Sequence, residues 1–232
     1  MIRGLYSAAG GMQATAQQQD VTAQNLTHAN KPGYRREVLR FETSGQRDDI
    51  QGPATSLHTD FTPGHAEYTG NKLDVTLNGP GFFTVQGPNG PLYTRNGVFQ
   101  ITGQGQLVTN EGLAVLGTAG PITLPPAATN IEIREDGSVV ADGLEADQLR
   151  IAGFPDPTAL QRVGTTFFVP SPGVTATQVE PDVRQGYREA SNTTVVHELV
   201  QMMAGLRQFE STQRALRSIG DSVGLTTRPL NR

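Results

Sequence analysis

The residues of this 232-residue chain whose types could do chemistry are few and scattered. His28, His58, His65 and His197 show no metal-ligand spacing. His197-Glu198 is not followed by the second histidine that a zincin helix requires. Cysteine is absent, which excludes disulfides, thiolate metal sites and cysteine nucleophiles. Asp48-Asp49 and Glu135-Asp136 are adjacent carboxylates, but both lie in polar sequence. An acid–base pair needs surroundings that push its two pKa values apart, and nothing here points to burial. Gly103-Gln104-Gly105 lacks the third glycine of a nucleotide loop and sits between strand-like segments, so it reads as a hairpin turn. No GxSxG or Walker pattern occurs. Arg35-Arg36 with Arg40 forms a small basic cluster suited to an acidic partner surface and too sparse for nucleic acid. The expectation is a protein that is not an enzyme, with no cofactor and no metal.

The elements that would position these residues speak of assembly instead. Ile2, Leu5, Ala9, Met12, Ala16, Gln19, Ala23 and Leu26 step by alternating threes and fours. So do Val195, Leu199, Met202, Leu206, Phe209, Gln213, Leu216, Gly220 and Val223. Each is a heptad seam, the pattern of helices that pack along their length. The first helix is expected over residues 3–27, stopped by Asn30-Lys31-Pro32-Gly33-Tyr34. Pro32-Gly33 suits the centre of a type II turn. The second is expected from about residue 194 to about 222, capped from within Ser191–Thr194 and ended by Gly224 and Pro229. Glu198 falls in its first turn, and Glu210 and Arg214 stand at i, i+4 on its outer face. At 1.5 Å per residue each helix spans roughly 40 Å.

Between the helices the period changes to two. Leu73, Val75 and Leu77 alternate, Phe83 and Val85 follow, and Ile131–Ile133, Val139–Val140, Leu149–Phe154 and Phe167–Val169 come later. Turn dipeptides such as Asn89-Gly90, Asn96-Gly97, Asp136-Gly137 and Asp142-Gly143 separate the short apolar pieces, which predicts an antiparallel all-β domain. The expected fold class is therefore α+β: two terminal helices packed as a coiled-coil-like pair around a central β domain. The expected division is 1–42 (helix and turn, with Val38, Leu39 and Phe41 as a short extended piece), 43–71 (linker loop), 72–187 (β domain) and 188–232 (second helix).

The simplest closure sets the helices antiparallel. One register places Leu26 opposite Leu199, Ala23 opposite Met202, Ala16 opposite Phe209 and Ala9 opposite Leu216, small residues against large; a register shifted by one heptad is also acceptable. In the first register Gln19 faces Leu206 and Gln213 faces Met12, so the two amides do not meet. A buried amide without a partner costs roughly 1–3 kcal/mol. Bonding to neighbouring subunits is the expectation; a wet edge of a simple pair is the alternative.

Charge is uneven. Residues 1–47 carry six basic and three acidic groups, residues 48–187 six and fifteen, and residues 188–232 six and four. The middle is acidic and the ends mildly basic. No run of 18 apolar residues occurs, so no membrane insertion is expected. The first residues lack the charged head, apolar stretch and cleavage site of a secretory signal, so export would need another route.

Met1-Ile2-Arg3-Gly4-Leu5-Tyr6-Ser7-Ala8-Ala9-Gly10-Gly11-Met12 resembles the start of bacterial flagellar rod and hook proteins. Asn25, Asn30, Gly33, Tyr34, Arg35 and Arg36 stand in a segment similar to that family's ANNLAN-x-x-TxG[FY]KR signature. The segment departs from it at Gln24 and at Lys31-Pro32. Leu73-Asp74-Val75 through Phe83, Tyr93 through Phe99 and Gly105 through Thr109 resemble the family's LDVAIxGxGFF, YTRxGxF and GxLVT segments. Glu189-Ala190-Ser191-Asn192 followed by Val195–Leu216 resembles its C-terminal ETSNVN-helix. The likeness covers nearly the whole chain in order.

The resemblance implies a subunit of the flagellar axial structure. Its terminal helices would line an inner tube, its β domain would lie outside, and its termini would order only on assembly. It also implies partners: copies of itself, other rod and hook-type axial proteins, and the flagellar type III export apparatus. The implied location is the basal-body rod, reached without a cleaved signal peptide. The short 43–71 segment favours a proximal rod subunit, since the distal rod protein usually carries a longer insertion there and a hook protein an extra outer domain. A distal rod or hook-type subunit is the alternative, and a secreted carbohydrate-binding β module a more distant one. Arg35, Arg36 and Arg40 are expected to meet acidic surfaces of neighbours.

Overall fold

The computed structural model describes residues 2–42, 54–125, 128 and 130–226. Two helices flank a β-rich middle, as an α+β chain should: α1 spans Ile2–His28 and α2 spans Val195–Thr226. The second helix runs past Gly224. A glycine inside a helix costs about 1 kcal/mol relative to alanine, which slows propagation without stopping it. At its start, the Thr194 hydroxyl accepts the His197 amide N–H (3.3 Å), and the Glu198 amide N–H donates to the Thr194 carbonyl (3.1 Å). Thr194 is thus the N-cap among the four candidates. Glu198, buried at the positive end of the helix, accepts the Thr193 hydroxyl at 2.5 Å.

The chain forms two compact units. One comprises Met1–Thr27, Glu37–Asp60 and Thr193–Arg232. It holds both helices and an antiparallel hairpin of β1 (Glu37–Glu42) and β2 (Ala54–Thr59), with Leu39 opposite Leu57 and Phe41 opposite Thr55. Two strands, β2 and Ala66–Tyr68, stand within the segment read as a linker. Their own sequences are polar and weakly alternating, so the pattern gave no strand. Pairing with β1 and with Tyr187–Glu189 supplies the order instead.

The other unit comprises His28–Arg36 and Phe61–Asn192. Its largest sheet has six antiparallel strands in the order Leu160–Val163, Phe167–Pro170, Gly90–Thr94, Phe82–Gly87, Ile151–Gly153 and Thr177–Gln178. Period-two alternation sends neighbouring residues to opposite faces. Phe83, Val85 and Ile151 join a large core with Phe99, Leu107 and Val139, while Phe82 and Ala152 join a smaller one with Tyr93, Phe154 and Phe168. The smaller core is aromatic, with edge-on contacts between Phe82 and Phe154 and between Tyr93 and Phe154.

The turns follow the dipeptides. Asp142 and Gly143 both take positive φ (50° and 85°) between Ser138–Ala141 and Leu144–Gln148, as a type I′ hairpin demands. Gly105 (φ 82°) turns the chain from Phe99–Ile101 to Leu107–Thr109, so the Gly103–Gly105 pair is a hairpin feature.

Candidate functional site

A network of hydrogen bonds and ion pairs gathers where the chain enters and leaves the β unit. Residues 33–36 run beside residues 189–192. The Gly33 amide donates to the Glu189 carbonyl (2.8 Å), the Asn192 amide to the Tyr34 carbonyl (3.3 Å) and the Arg36 amide to the Asn192 side-chain oxygen (2.7 Å). The entry turn is the one that Pro32-Gly33 predicts. The Tyr34 amide donates to the Lys31 carbonyl (3.2 Å), and Gly33 takes φ 68°. Any Cβ at Gly33 would also collide with the Arg95 and Asn96 backbone.

Beneath this crossing lies a buried charge cluster. Arg35 is 1% exposed and donates to Glu189 Oε1 at 2.5 Å. The same oxygen accepts the Gly64 amide (3.0 Å), and Oε2 accepts Arg95 (3.5 Å). Arg95 also donates to the Gly79 carbonyl (2.6 Å) and lies over the Phe82 ring. Burial pushes Arg95 down to about 10 against the opposing pull of Glu189, so it stays charged at neutral pH. Arg162 spans the Tyr34 and Phe168 rings and donates to the Arg35 and Thr165 carbonyls. Arg35 therefore does not meet a neighbour's acidic surface: Glu189 of its own chain takes it. Arg35 is buried, whereas Arg40, on β1, is exposed. Glu189 was visible in sequence only as a residue of a resembled motif; its pairing with Arg35 spans 154 positions.

In the helical unit, Asn25 is buried and mimics a backbone strand. Its amide donates to the Glu37 carbonyl (2.8 Å), and its oxygen accepts the Glu37 amide (2.9 Å). This ties the last turn of α1 to the first residue of β1. The Thr55 hydroxyl donates to Gln17 (2.9 Å) further along the same side of α1. Ala14 and Thr22 are buried on that side as well. Asn30, by contrast, is exposed.

The seam positions lie elsewhere on α1. Ala9, Ala16 and Ala23 are exposed, and Met12, Gln19 and Leu26 are half-buried. At 100° per residue they occupy the side opposite Ala14 and Asn25. Gln19 has a partner in its own chain: its amide donates to the Met202 carbonyl at 3.3 Å, beside Gly205. The glycine leaves room for the amide to reach the α2 backbone, which the side-chain-to-side-chain register did not consider. On α2, Val195, Met202, Phe209, Gln213 and Leu216 are half-buried, while Leu199, Leu206 and Gly220 are exposed. Val196, Val200 and Met203, which the heptad reading passed over, are exposed too. The side chains of Ile2, Leu5 and Val223 lie outside the described residues.

The residues first considered for chemistry do not gather. His28 stacks near Tyr34, His58 contacts the Ser56 hydroxyl, His65 pairs with Glu67 and His197 is exposed. Asp136 accepts the Ser138 amide in a turn, which holds its carboxyl below the usual carboxylate range. Asp48-Asp49 lies outside the described residues. Among the described residues, no group of three or more His, Asp or Glu could hold a metal ion, and no helix is long and apolar enough to cross a membrane.

Three family descriptions match in order: flagella basal body rod protein over residues 5–35, flagellar hook protein FlgE/F/G D1 domain over 76–141, and flagellar basal body rod FlgEFG protein C-terminal over 184–222. The chain is 34% identical to the flagellar basal-body rod protein FlgF of Escherichia coli K12, covering 97% of this chain and 96% of that one. The chain belongs to the flagellar basal-body rod protein family. It is also 31% identical to FlgF of Salmonella typhimurium LT2 (97% and 96%) and 28% identical to the rod protein FlgG of Agrobacterium fabrum (99% and 100%). In this rod-family chain, two of the three matched segments meet at the buried crossing: Gly33–Arg35 closes the first, and Glu189 lies within the last.

Proposed function

We propose that this chain assembles helically as a proximal subunit of the rod and transmits torque along it, without catalysing a reaction. Family membership makes it a structural subunit of the flagellar basal-body rod, in company with other rod and hook components. The observation that carries the helical reading is the placement of the seam. Ala9, Ala16 and Ala23 face away from the buried side of α1, and Leu199 and Leu206 are exposed on α2. Contacts repeated head-to-tail between different patches generate open filaments, which is what a rod requires. The seam residues from Ile2 to Leu26 and from Val195 to Val223 would supply the intersubunit core, with Gln213 and Arg40 reaching neighbours.

The short segment between the first helix and the β domain supports the proximal over the distal position. In this reading the chain reaches the rod through the flagellar type III export apparatus. The experiment is deletion followed by imaging of basal bodies. A proximal role predicts loss of rod beyond the inner membrane ring and rescue by the intact chain. A rod lacking only its distal part would contradict it.

A further inference from the structure

The helical unit carries two exposed apolar groups that its own chain leaves uncovered. The first is a row on the opening three turns of α2: Val196 (72% exposed), Leu199, Val200, Met203 (52%) and Leu206. Spacings of three and four residues keep the row on one side, over roughly 15 Å. From Arg207 the same side turns charged, with Glu210 and Arg214 paired at 3.5 Å. The row is therefore bounded. The second group is on the hairpin. Leu39, Phe41 and Leu57 share one face, because Leu39 pairs with Leu57 and Phe41 with Thr55. Phe41 is 47% exposed and Leu57 52%. The paired strands run for roughly 20 Å, a length comparable with the α2 row.

Among the described residues, these two groups hold every large exposed apolar side chain of this unit; Tyr68, Leu144 and Val163 belong to the β unit. Within one chain neither group covers the other, since both are open. A head-to-tail assembly needs two different complementary patches on each subunit. Exposed apolar area on this scale marks an interaction surface.

We propose that the hairpin face of one copy, through Phe41 and Leu57, seats on the Val196–Leu206 row of α2 in a second copy of this chain. The pairing rests on the rod-subunit reading and names the contact that makes it repeat. It assigns a role to Val196, Val200 and Met203, which lie beside the heptad seam and not on it. It also gives the hairpin a task beyond joining α1 to the β domain.

The absence of cysteine makes the test clean. Two differently tagged full-length copies, one Leu57→Cys and one Val200→Cys, are co-expressed in cells lacking the untagged chain. Isolated basal bodies are then treated with a short bifunctional thiol reagent. The expected product is a heterodimer carrying both tags, found in rods and absent from the monomer pool. Rods that contain both copies but yield no heterodimer, or yield Val200→Cys joined to a different flagellar protein, overturn the pairing and leave the rod-subunit reading standing. A tagged chain without either substitution, expressed in parallel, is expected in rods; its absence there overturns both. As a second arm, Leu57→Asp and Val200→Asp are expected to lower rod incorporation about ten-fold or more while the β unit melts as in wild type, because the substituted sites are solvent-exposed in the free chain. Incorporation equal to wild type in both variants overturns the pairing.

Discussion

The β unit and the helical unit bury their apolar residues to very different degrees. In the first, Val75, Phe83, Val85, Leu107 and Phe168 have no measurable exposure, and even the charged Glu189 is enclosed between two arginines. In the second, Val196, Leu199, Val200, Met203 and Leu206 on the first three turns of α2 are 43–72% exposed. One unit covers its apolar residues; the other leaves a row of them open. A long helix alone is marginal in water and takes its stability from what packs on it. Under the proposed assembly, folding of the β unit and ordering of the helices are separate events, the second completed by other chains.

Substitutions can break or sharpen this contrast. The largest effect is expected from Glu189→Ala, which leaves Arg35 and Arg95 buried without their carboxylate. Removing one partner of a buried pair costs about 3–5 kcal/mol, and urea unfolding of the β unit should register it. Phe83→Ala should cost a similar ~3–5 kcal/mol through the cavity it opens. Met203→Ala, with half its surface already in water, should change the stability of the free chain by no more than about 0.5 kcal/mol. If Met203→Ala matched Phe83→Ala in the monomer, the contrast between the units would collapse.

Gly33→Ala comes next, at more than about 1 kcal/mol, since positive φ and a backbone collision add. Its thermal midpoint should fall while α2 helicity stays as in wild type.

The smallest effect is at Glu67. Hydrogen bonds from the Arg188 side chain hold its carboxyl below the usual glutamate value. A carboxyl depressed in the folded state contributes stability above its unfolded pKa, near 4.3, and loses it as pH falls through the lower folded value. The site is exposed, so solvent discounts the pair to a few tenths of a kcal/mol. Arg188→Ala should flatten the acid limb of the stability curve only slightly, as read by pH-jump denaturation.

The parts of this contrast that repeat locally were legible in the sequence. Period-two runs and turn dipeptides mark the strands around Phe83, Val139 and Phe167, and the heptad steps mark both helices. Contacts that depend on distant partners were not. The strand character of Ala54–Thr59 comes from β1, and nothing in Arg35-Arg36 says which arginine turns inward. The partner of Arg35 lies 154 residues away. Gln19 was legible as a polar flaw in a seam, but its acceptor is a backbone carbonyl, which side-chain spacing does not encode. Asn25 shows the same limit, because its amide pairs with the main chain of Glu37.

Hydrogen exchange on the intact chain, free and then incorporated in rods, tests the central claim most directly. The amides of Phe83, Val85 and Leu107 should be protected in both states. Those of α2 from Leu199 to Leu216 should exchange rapidly in the free chain and become protected on assembly. Equal, strong protection of α2 in the free chain would contradict the account, because the helices would then be complete without their neighbours.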